Sequence, residues 1–303
     1  MAKARVIVKR RKAVRNIKKI TKVMQMIATA RYQKAYKRAV GTKPYVKKIG
    51  ELVASVAESV KSGGAEVSHP LLEERTTKAN RVVVLVLTSN RGLCGGYNGS
   101  LLRLATHTLR DLEAAGVTPE LHVVGKKGIA YFKFQKRTMT QTYTTIGDNP
   151  KFADVEPLAK QFMEDFTSGK VDGVKVVYMR FISAGTQRPG VVDLLPLSGL
   201  AGTGTAITGQ PSESHGQPVP YDFSPGPAEL LADLIPTTVK VSLFQAFIEA
   251  AVSEQIARMV AMKAATDNAD KMVKKLTQDY NRARQSQITS ELSELMGGVE
   301  AMK

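Results

Sequence analysis

The stretch from Pro236 to the C-terminus contains no further proline and is rich in helix-favouring residues. A helix over its roughly 65 residues would be about 100 Å long, at a rise of about 1.5 Å per residue. Helices of globular proteins are usually far shorter, because an isolated helix is only marginally stable in water. A helix of this length therefore requires another element packed along it.

Small and apolar residues in this stretch alternate in steps of three and four, which is the spacing of a coiled-coil seam. The seam positions are Met259, Met262, Thr266, Ala269, Val273, Leu276, Tyr280 and Ala283. Ile288, Leu292 and Leu295 resume the spacing one residue out of phase, which predicts a local change of winding. Alanine and threonine make the seam thin, so two helix axes can approach closely. A single long helix of an ordinary bundle is the alternative explanation.

The N-terminal segment carries a second seam of the same spacing. Its positions are Val14, Ile17, Thr21, Met24, Ala28, Arg31 and Ala35. Gly41 and Pro44 predict a bend, and Lys61-Ser62-Gly63-Gly64 predicts the end of the helix. Residues 1–62 and 228–303 are therefore expected to pair as an antiparallel two-stranded coiled coil.

The formal net charge of +17 is concentrated at one end of the chain. Residues 1–50 hold 17 of the 44 basic residues and no acidic residue, which leaves 27 basic residues against 27 acidic ones elsewhere. Such a one-sided field attracts an acidic partner, namely nucleic acid, anionic lipid or an acidic protein surface.

A basic nucleic-acid-binding coiled coil is one function class compatible with this charge. However, the basic residues alternate with a core seam and not with aromatic residues that could stack on bases. No recognition motif follows them. This class therefore stays an alternative, and it predicts salt-sensitive DNA binding.

The middle of the chain alternates between strand and helix patterns. Strands are predicted at 81–88, 122–125, 138–145, 174–182 and 191–197, and helices at 100–115, from Lys126, and at 155–168. This order predicts a Rossmann-like α/β domain over residues 63–200. Residues 201–227 are rich in Gly, Pro and Ser, so we interpret them as a flexible linker or insert.

A glycine-rich turn at Asn90–Gly96 follows the first strand, as in phosphate-binding proteins. Its spacing matches neither the dinucleotide nor the P-loop pattern, so a tight packing turn is the favoured interpretation. A Rossmann-like enzyme that binds a nucleotide at this turn is a further alternative.

No set of residues has the spacing of a catalytic or metal site. The four histidines are scattered along the chain, and no motif links Cys94 to any of them. We therefore predict no catalytic residues, no metal and no cofactor. The single cysteine excludes an internal disulfide. We predict no membrane-spanning run and no secretory signal.

Four motifs in order along the chain resemble the γ-subunit family of F-type rotary ATP synthases. They are Ile20–Met26, Asn90–Gly96, Ala257–Asn268 and Tyr280–Thr289. The resemblance covers nearly the whole chain. It implies a non-catalytic central shaft, in which the paired terminal helices lie inside a hexamer of α and β subunits. It also implies that the α/β domain meets subunit ε and the ring of c subunits, and that proton flow turns the shaft.

The resemblance implies particular contact residues as well. Arg284, Gln285 and Thr289 would form a polar latch to a loop of β, and Met24 and Arg258 would face an acidic lever segment of β. Tyr221 and Phe223 would contact ε or the c ring, although many relatives have Tyr-x-Tyr-Glu-Pro where this chain reads Tyr221-Asp222-Phe223-Ser224-Pro225.

Two further expectations concern regulation and location. The cysteine pair of light-regulated plant relatives is absent, which excludes that type of thiol switch. The N-terminus has no clear transit peptide, so a bacterial origin is expected. The complex would then lie on the cytoplasmic face of the plasma (inner) membrane, and the chain would reach the membrane only through it.

Overall fold

A computed structural model describes residues 2–62, 69–72, 79–197, 226–300 and 302. The chain divides into two units. The first comprises Met1–Ala30 and Arg258–Lys303, and the second comprises Arg31–Ala257. The division into 1–62, 63–200, 201–227 and 228–303 stays a prediction, and residues 201–225 of the predicted linker lie outside the described residues.

The elements in chain order are five helices and five strands within the described residues. They are α1 (Ala2–Ser62), β1 (Arg81–Leu87), α2 (Tyr97–Ala114), β2 (Thr118–Val124), α3 (Lys126–Phe134), β3 (Gln141–Tyr143), α4 (Phe152–Thr167), β4 (Gly173–Ser183), β5 (Thr186–Leu195) and α5 (Pro227–Glu300). Pro44 lies inside α1 and Pro236 lies inside α5, so neither proline ends its helix.

The first unit is an antiparallel pair of helices, formed by residues 2–30 of α1 and 258–300 of α5. Thr266 Oγ1 lies 2.8 Å from Thr21 Oγ1, and Lys18 Nζ lies 2.5 Å from Asp270 Oδ1. Arg11 stacks over the ring of Tyr280 at 5.0 Å. Positions that descend along α1 therefore match positions that ascend along α5, which confirms the predicted antiparallel arrangement.

The predicted seam of α5 is confirmed by burial. All eight positions from Met259 to Ala283 are buried or half-buried, and Met262, Thr266 and Ala269 are the most buried. On α1 the prediction is correct for Val14, Thr21, Met24, Ala28 and Ala35, but it is wrong for Arg31, which is exposed, and for Ile17, which is 52% exposed. Lys18 is half-buried in its place, because it reaches Asp270 on the facing helix.

The predicted out-of-phase continuation of the seam is wrong. Ile288, Leu292 and Leu295 are 51%, 57% and 69% exposed. The pairing of Thr21 with Thr266 and of Lys18 with Asp270 puts the first residue of α1 opposite about residue 286, counting one residue per 1.5 Å on each helix. Beyond that level α1 is no longer present, so within the described residues these side chains have no facing helix.

The second unit is built around a five-stranded sheet of order β3-β2-β1-β4-β5. The first four strands in this order are parallel, and β5 pairs antiparallel with β4. The predicted strands are all present with shifted ends, and β5 begins at Thr186 instead of residue 191. This is the parallel-dominated α/β architecture that the alternation predicts.

Helices cover both faces of the sheet. One face packs against α2 and α3 in a core that includes Val84, Val86 and Leu101. The other face packs against α4 and against the parts of α1 and α5 in this unit, in a core that includes Leu85, Phe162 and Leu243. A parallel sheet buried on both faces needs apolar strands, and the β1 sequence Arg81–Leu87 supplies one.

One finding qualifies the expectation of no membrane-spanning run. Within Glu229–Val299 of α5, a window of 18 residues is long and apolar enough to cross a bilayer. Of that window, 56% is buried inside the protein, as in the core helix of a soluble domain. By length and composition alone, the expectation that no run could span a membrane is therefore not met.

Candidate functional site

The carboxyl edge of the sheet is the place where open α/β domains bind ligands, at the point where strand order reverses. Here that point lies between β1 and β4, and α5 occupies it. Ser253 Oγ donates to Met179 O at the end of β4, over 3.3 Å, and Tyr97 Oη donates to Ala250 O over 3.2 Å. A cavity between Thr88, Ile146, Phe247 and Glu254, at the carboxyl ends of β1 and β2, holds about 30 Å³. This space is that of one water molecule and is too small for a nucleotide.

The glycine-rich turn is a packing turn, as the favoured interpretation of its spacing predicts. Leu93 and Gly95 have φ values of 64° and 57°, which fold the turn back on itself. Asn98 Nδ2 donates to Ser89 Oγ over 2.7 Å and to Cys94 Sγ over 3.2 Å. Cys94 is 2% exposed, so it is a buried part of the turn. The polar groups of the turn thus bond to one another and, through Asn90, to Lys126 N and Ile146 O of neighbouring segments.

His122 is buried on β2, where the ring is 3% exposed. Its Nδ1 lies 3.2 Å from Tyr143 Oη, and its ring meets Phe162 at 5.5 Å. Burial lowers the pKa of His122 to about 4, and the nearby Asp165 charge opposes this only in part. The imidazole is therefore neutral near pH 7. In the described part of the chain, no group of three or more His, Cys, Asp or Glu is placed to hold a metal ion.

The strongest charged surface lies on α1 in the first unit. Its exposed cations, called here the basic face, are Arg5, Lys9, Arg10, Lys12, Arg15, Lys19 and Lys22. Lys18 and Arg11 instead turn toward α5, as their contacts with Asp270 and Tyr280 indicate. Two basic residues thus hold the helix pair together, while the basic face is free to attract an acidic surface.

The three residues predicted as a polar latch lie together on α5. Arg284, Gln285 and Thr289 are all exposed. Thr289 stands one turn beyond Gln285, and its Oγ1 donates to the Gln285 carbonyl over 3.0 Å. The three side chains occupy little more than one helical turn, so one partner loop can reach all of them.

Met24 and Arg258 differ in accessibility. Met24 is half-buried at the edge of the helix pair. Arg258 is only 5% exposed. In the register of the helix pair, Met24 lies opposite residues 263–264 of α5. This position is about five residues from Arg258, so the two side chains are not neighbours along the pair. Tyr221 and Phe223 lie outside the described residues.

A further surface, at the end of α5, was not recognised from the sequence as exposed. It consists of the large apolar side chains that have no facing helix, called here the apolar tip: Ile288, Leu292, Leu295, Met296 and Val299, each at least 51% exposed. An exposed apolar group of this size indicates a protein-binding surface. The register of α1 against α5 could have predicted this exposure, because a seam is buried only where both helices are present.

Comparison with known proteins identifies the family. Residues 3–302 match the family model described as ATP synthase. The chain is 43% identical over 303 residues to the ATP synthase gamma chain of Rhodopirellula baltica, with both chains covered completely. It is 39% identical to the gamma chain of Leptospira biflexa, again over the full length of both.

Solved structures share the fold. The chain is similar to a chain in the cryo-EM structure of the Euglena gracilis mitochondrial ATP synthase OSCP/F1/c-ring, with a TM-score of 0.65 and 19% identity. That match covers 99% of this chain and 95% of the other. A chain in the Tetrahymena thermophila central stalk and c-ring structure is similar with a TM-score of 0.54. With full-length identity of about two fifths to gamma chains, this chain belongs to the ATP synthase gamma-chain family.

Proposed function

We infer that the chain is the central-stalk rotor subunit of an F-type ATP synthase. The observation that carries this inference is the full-length identity to gamma chains. The antiparallel helix pair of the first unit suits this role, because two paired helices resist bending and twisting better than one. The chain transmits torque between a membrane ring and the catalytic subunits, and so couples proton flow to ATP synthesis or hydrolysis.

The chain is a non-catalytic subunit. The crevice in which a Rossmann-like enzyme would bind a nucleotide is filled by α5, with Ala250 and Ser253 hydrogen-bonded to the surrounding elements. ATP is made or hydrolysed on the β subunits of the complex. This arrangement argues against the alternative of a nucleotide-binding enzyme.

The partners are the α and β subunits of the hexamer, subunit ε and the ring of c subunits. The solved relatives are described as parts of assemblies with F1 and the c-ring. The chain is thus part of a membrane-bound complex and reaches the membrane through its partners. The curated relatives above are bacterial, which supports a location on the cytoplasmic face of the plasma (inner) membrane.

The polar latch is proposed to bind a loop of β. Arg284, Gln285 and Thr289 are exposed and adjacent, which supports a shared partner loop. A small number of polar contacts in one place also suits a rotor. A shaft that turns inside a hexamer with threefold symmetry must release its contacts at each orientation before it can move to the next.

The acidic lever segment of β is proposed to meet Met24 and the basic face of α1. Arg258 is also proposed to face this lever; it is buried about five residues from the level of Met24, and a buried charge is screened less by salt than an exposed one. Tyr221 and Phe223 are proposed to contact ε or the c ring. That proposal rests on the family resemblance, since both residues lie outside the described ranges.

Reconstitution tests the function. The purified chain is mixed with α and β subunits, and the product is separated by size-exclusion chromatography and assayed for ATP hydrolysis. One copy of the chain should co-elute with the hexamer and raise its ATPase activity. A folded chain that fails to co-elute at low and moderate salt would overturn the proposal. A titration with duplex DNA at several salt concentrations would then test the nucleic-acid-binding alternative.

The latch has its own test in the whole complex, reassembled with the ring of c subunits in a membrane so that proton flow can drive synthesis. Arg284→Ala with Gln285→Ala should reduce coupled ATP synthesis by about tenfold, because charge-assisted hydrogen bonds of about 1.5–3 kcal/mol are lost. Arg282→Ala with Ser286→Ala changes the same helix turn outside the latch and serves as the control. Equal synthesis rates for the two variants would exclude the latch.

A further inference from the structure

The segment between β3 and the start of α4 contacts both long helices of the second unit. This link segment, residues 146–156, includes a loop and the first residues of α4. Within eleven residues it contacts α1 twice and α5 twice. Each of these contacts lies entirely within the second unit.

The contacts to α1 come from two arginines. Arg31 donates to the carboxylate of Asp148, and Arg38 donates to the side-chain oxygen of Asn149. The two arginines are seven residues apart, which puts them on the same side of the helix, two turns from each other. The consecutive loop residues Asp148 and Asn149 are therefore bound by two arginines that lie two turns apart on α1.

The contacts to α5 come from an aromatic pair and an ion pair. The rings of Phe152 and Phe244 meet edge to face, with centroids 5.5 Å apart. Lys240 Nζ donates to Glu156 Oε1 over 3.2 Å. Hydrogen bonds from Lys160 and Lys240 hold the pKa of Glu156 below its usual value, so Glu156 is charged near pH 7. Lys240 and Phe244 are four residues apart and thus also share one side of their helix.

The link segment is itself anchored to the sheet. Ile146 is 7% exposed within the core, and its carbonyl accepts a hydrogen bond of 3.2 Å from Asn90 Nδ2 in the turn after β1. At the other end, Val155 of α4 is completely buried. The segment is thus fixed to the α/β domain at Ile146 and Val155, and the residues between them contact the two helices.

We propose that the link segment couples the rotation of the α/β domain to both long helices, with Arg31, Arg38, Lys240 and Phe244 as positioning residues. The apolar core already packs both helices against the sheet and resists their rotation. Charge-assisted hydrogen bonds are directional and oppose such a rotation. This proposal rests on the rotor function inferred above.

The test measures torsional stiffness in a complex of the full chain with the α and β subunits. The hexamer is fixed to a surface, and a rod is attached to the chain through Phe134→Cys, a position that is 86% exposed. The native Cys94 is buried, so labelling is selective. The angular variance of the rod is recorded without ATP, and rotation is then recorded with ATP.

The main variant is Arg31→Gln with Arg38→Gln. Its angular variance should increase by up to about twofold, because two of the four contacts of the link segment are lost while the apolar core remains. Lys34→Gln with Lys37→Gln is the matched control, since it removes the same charge from exposed positions of the same helix. A third variant, Arg31→Asp with Asp148→Arg, re-forms one ion pair in the reverse sense and should restore part of the stiffness.

Two outcomes would overturn the proposal. One is an angular variance of the Arg31/Arg38 variant equal to that of the parent chain, and the other is an equal increase in the control. Rotation with ATP in the parent chain tests the rotor function separately, so failure of that function would be distinguished from failure of the link segment.

Discussion

At the scale of single residues, Thr88 joins three elements at the carboxyl edge of the sheet. Its Oγ1 donates to the Val124 carbonyl over 2.6 Å and accepts from the Gly128 N–H over 2.9 Å. Gly125 passes directly beside it with φ of 95°, and a Cβ on Gly125 would lie 2.2 Å from the Thr88 carbonyl oxygen. Only glycine fits at this crossing of β1 with the start of α3.

Gly125→Ala should therefore destabilise the chain by about 3 kcal/mol or more, because both the backbone conformation and the space exclude a methyl group. Gly99→Ala is the control, since Gly99 lies in α2 with no atom within 4 Å of the added methyl group. It should leave stability unchanged or raise it by about 1 kcal/mol. Urea unfolding monitored by circular dichroism measures both variants, and equal effects would refute the packing argument.

His122 makes stability depend on pH. Its pKa is about 4 in the folded chain and about 6.5 when unfolded, so the unfolded state binds more protons between these values. The free energy of unfolding therefore falls as pH falls from 6.5 to 4, by on the order of 3 kcal/mol.

His122→Leu removes this dependence. The difference in unfolding free energy between the parent and the variant should shrink by about 2 kcal/mol from pH 7 to pH 4.5. Unfolding curves at four pH values would measure it, with His107→Leu as a control because His107 is exposed. A difference that stays constant with pH would show that His122 is not held neutral.

At the scale of elements, the helix pair of the first unit is held by small residues. Ala28 is 1% exposed and Ala269 is 8% exposed, and between them lies the hydrogen-bonded pair Thr21 and Thr266. Small side chains let the two backbones approach closely, and the threonine pair then specifies which residues face each other. The same closeness leaves no space for larger side chains.

Ala28→Leu should accordingly destabilise the chain by about 1–3 kcal/mol through overpacking. Ala30→Leu adds the same side chain at an exposed position of the same helix and should change stability by less than about 0.5 kcal/mol. The midpoint of thermal unfolding compares the two. Similar midpoints for both variants would mean that the seam is looser than the burial of Ala28 indicates.

At the scale of the whole molecule, we expect the apolar tip to contribute to assembly and not to the stability of the free chain. Leu292→Ser with Leu295→Ser should change the unfolding free energy by less than about 0.5 kcal/mol, because both side chains are already exposed. The same variant should lose co-elution with the hexamer, since burial of two leucines contributes about 3–6 kcal/mol. Ser290→Ala with Ser293→Ala is the control on the same turns, and equal co-elution would exclude the tip from the interface.

Much of this architecture follows from local pattern. The step of three and four from Met259 to Ala283 identified a helix that needs a partner, because side chains at that spacing share one stripe. Alternating strand and helix patterns identified the α/β domain, because a buried parallel strand must be apolar on both faces. The broken glycine spacing at Asn90–Gly96 disfavours a nucleotide site. The charge count also located the basic face on α1.

Other features depend on which residues meet across long separations in the chain. Ile17 and Lys18 both fit the steps of three and four between Val14 and Thr21. The position of Asp270 on the facing helix decides that Lys18 turns toward the seam. The exposure of Leu292 depends on the register of α1 against α5, and the filled crevice depends on α5 returning to the edge of the sheet, where Ser253 bonds to β4. The sequence by itself determined the elements and their charge, since these follow from neighbouring residues. Only the tertiary structure decided the register of the helix pair, the closed crevice and the contacts of the link segment, because each is set by residues that are distant in sequence.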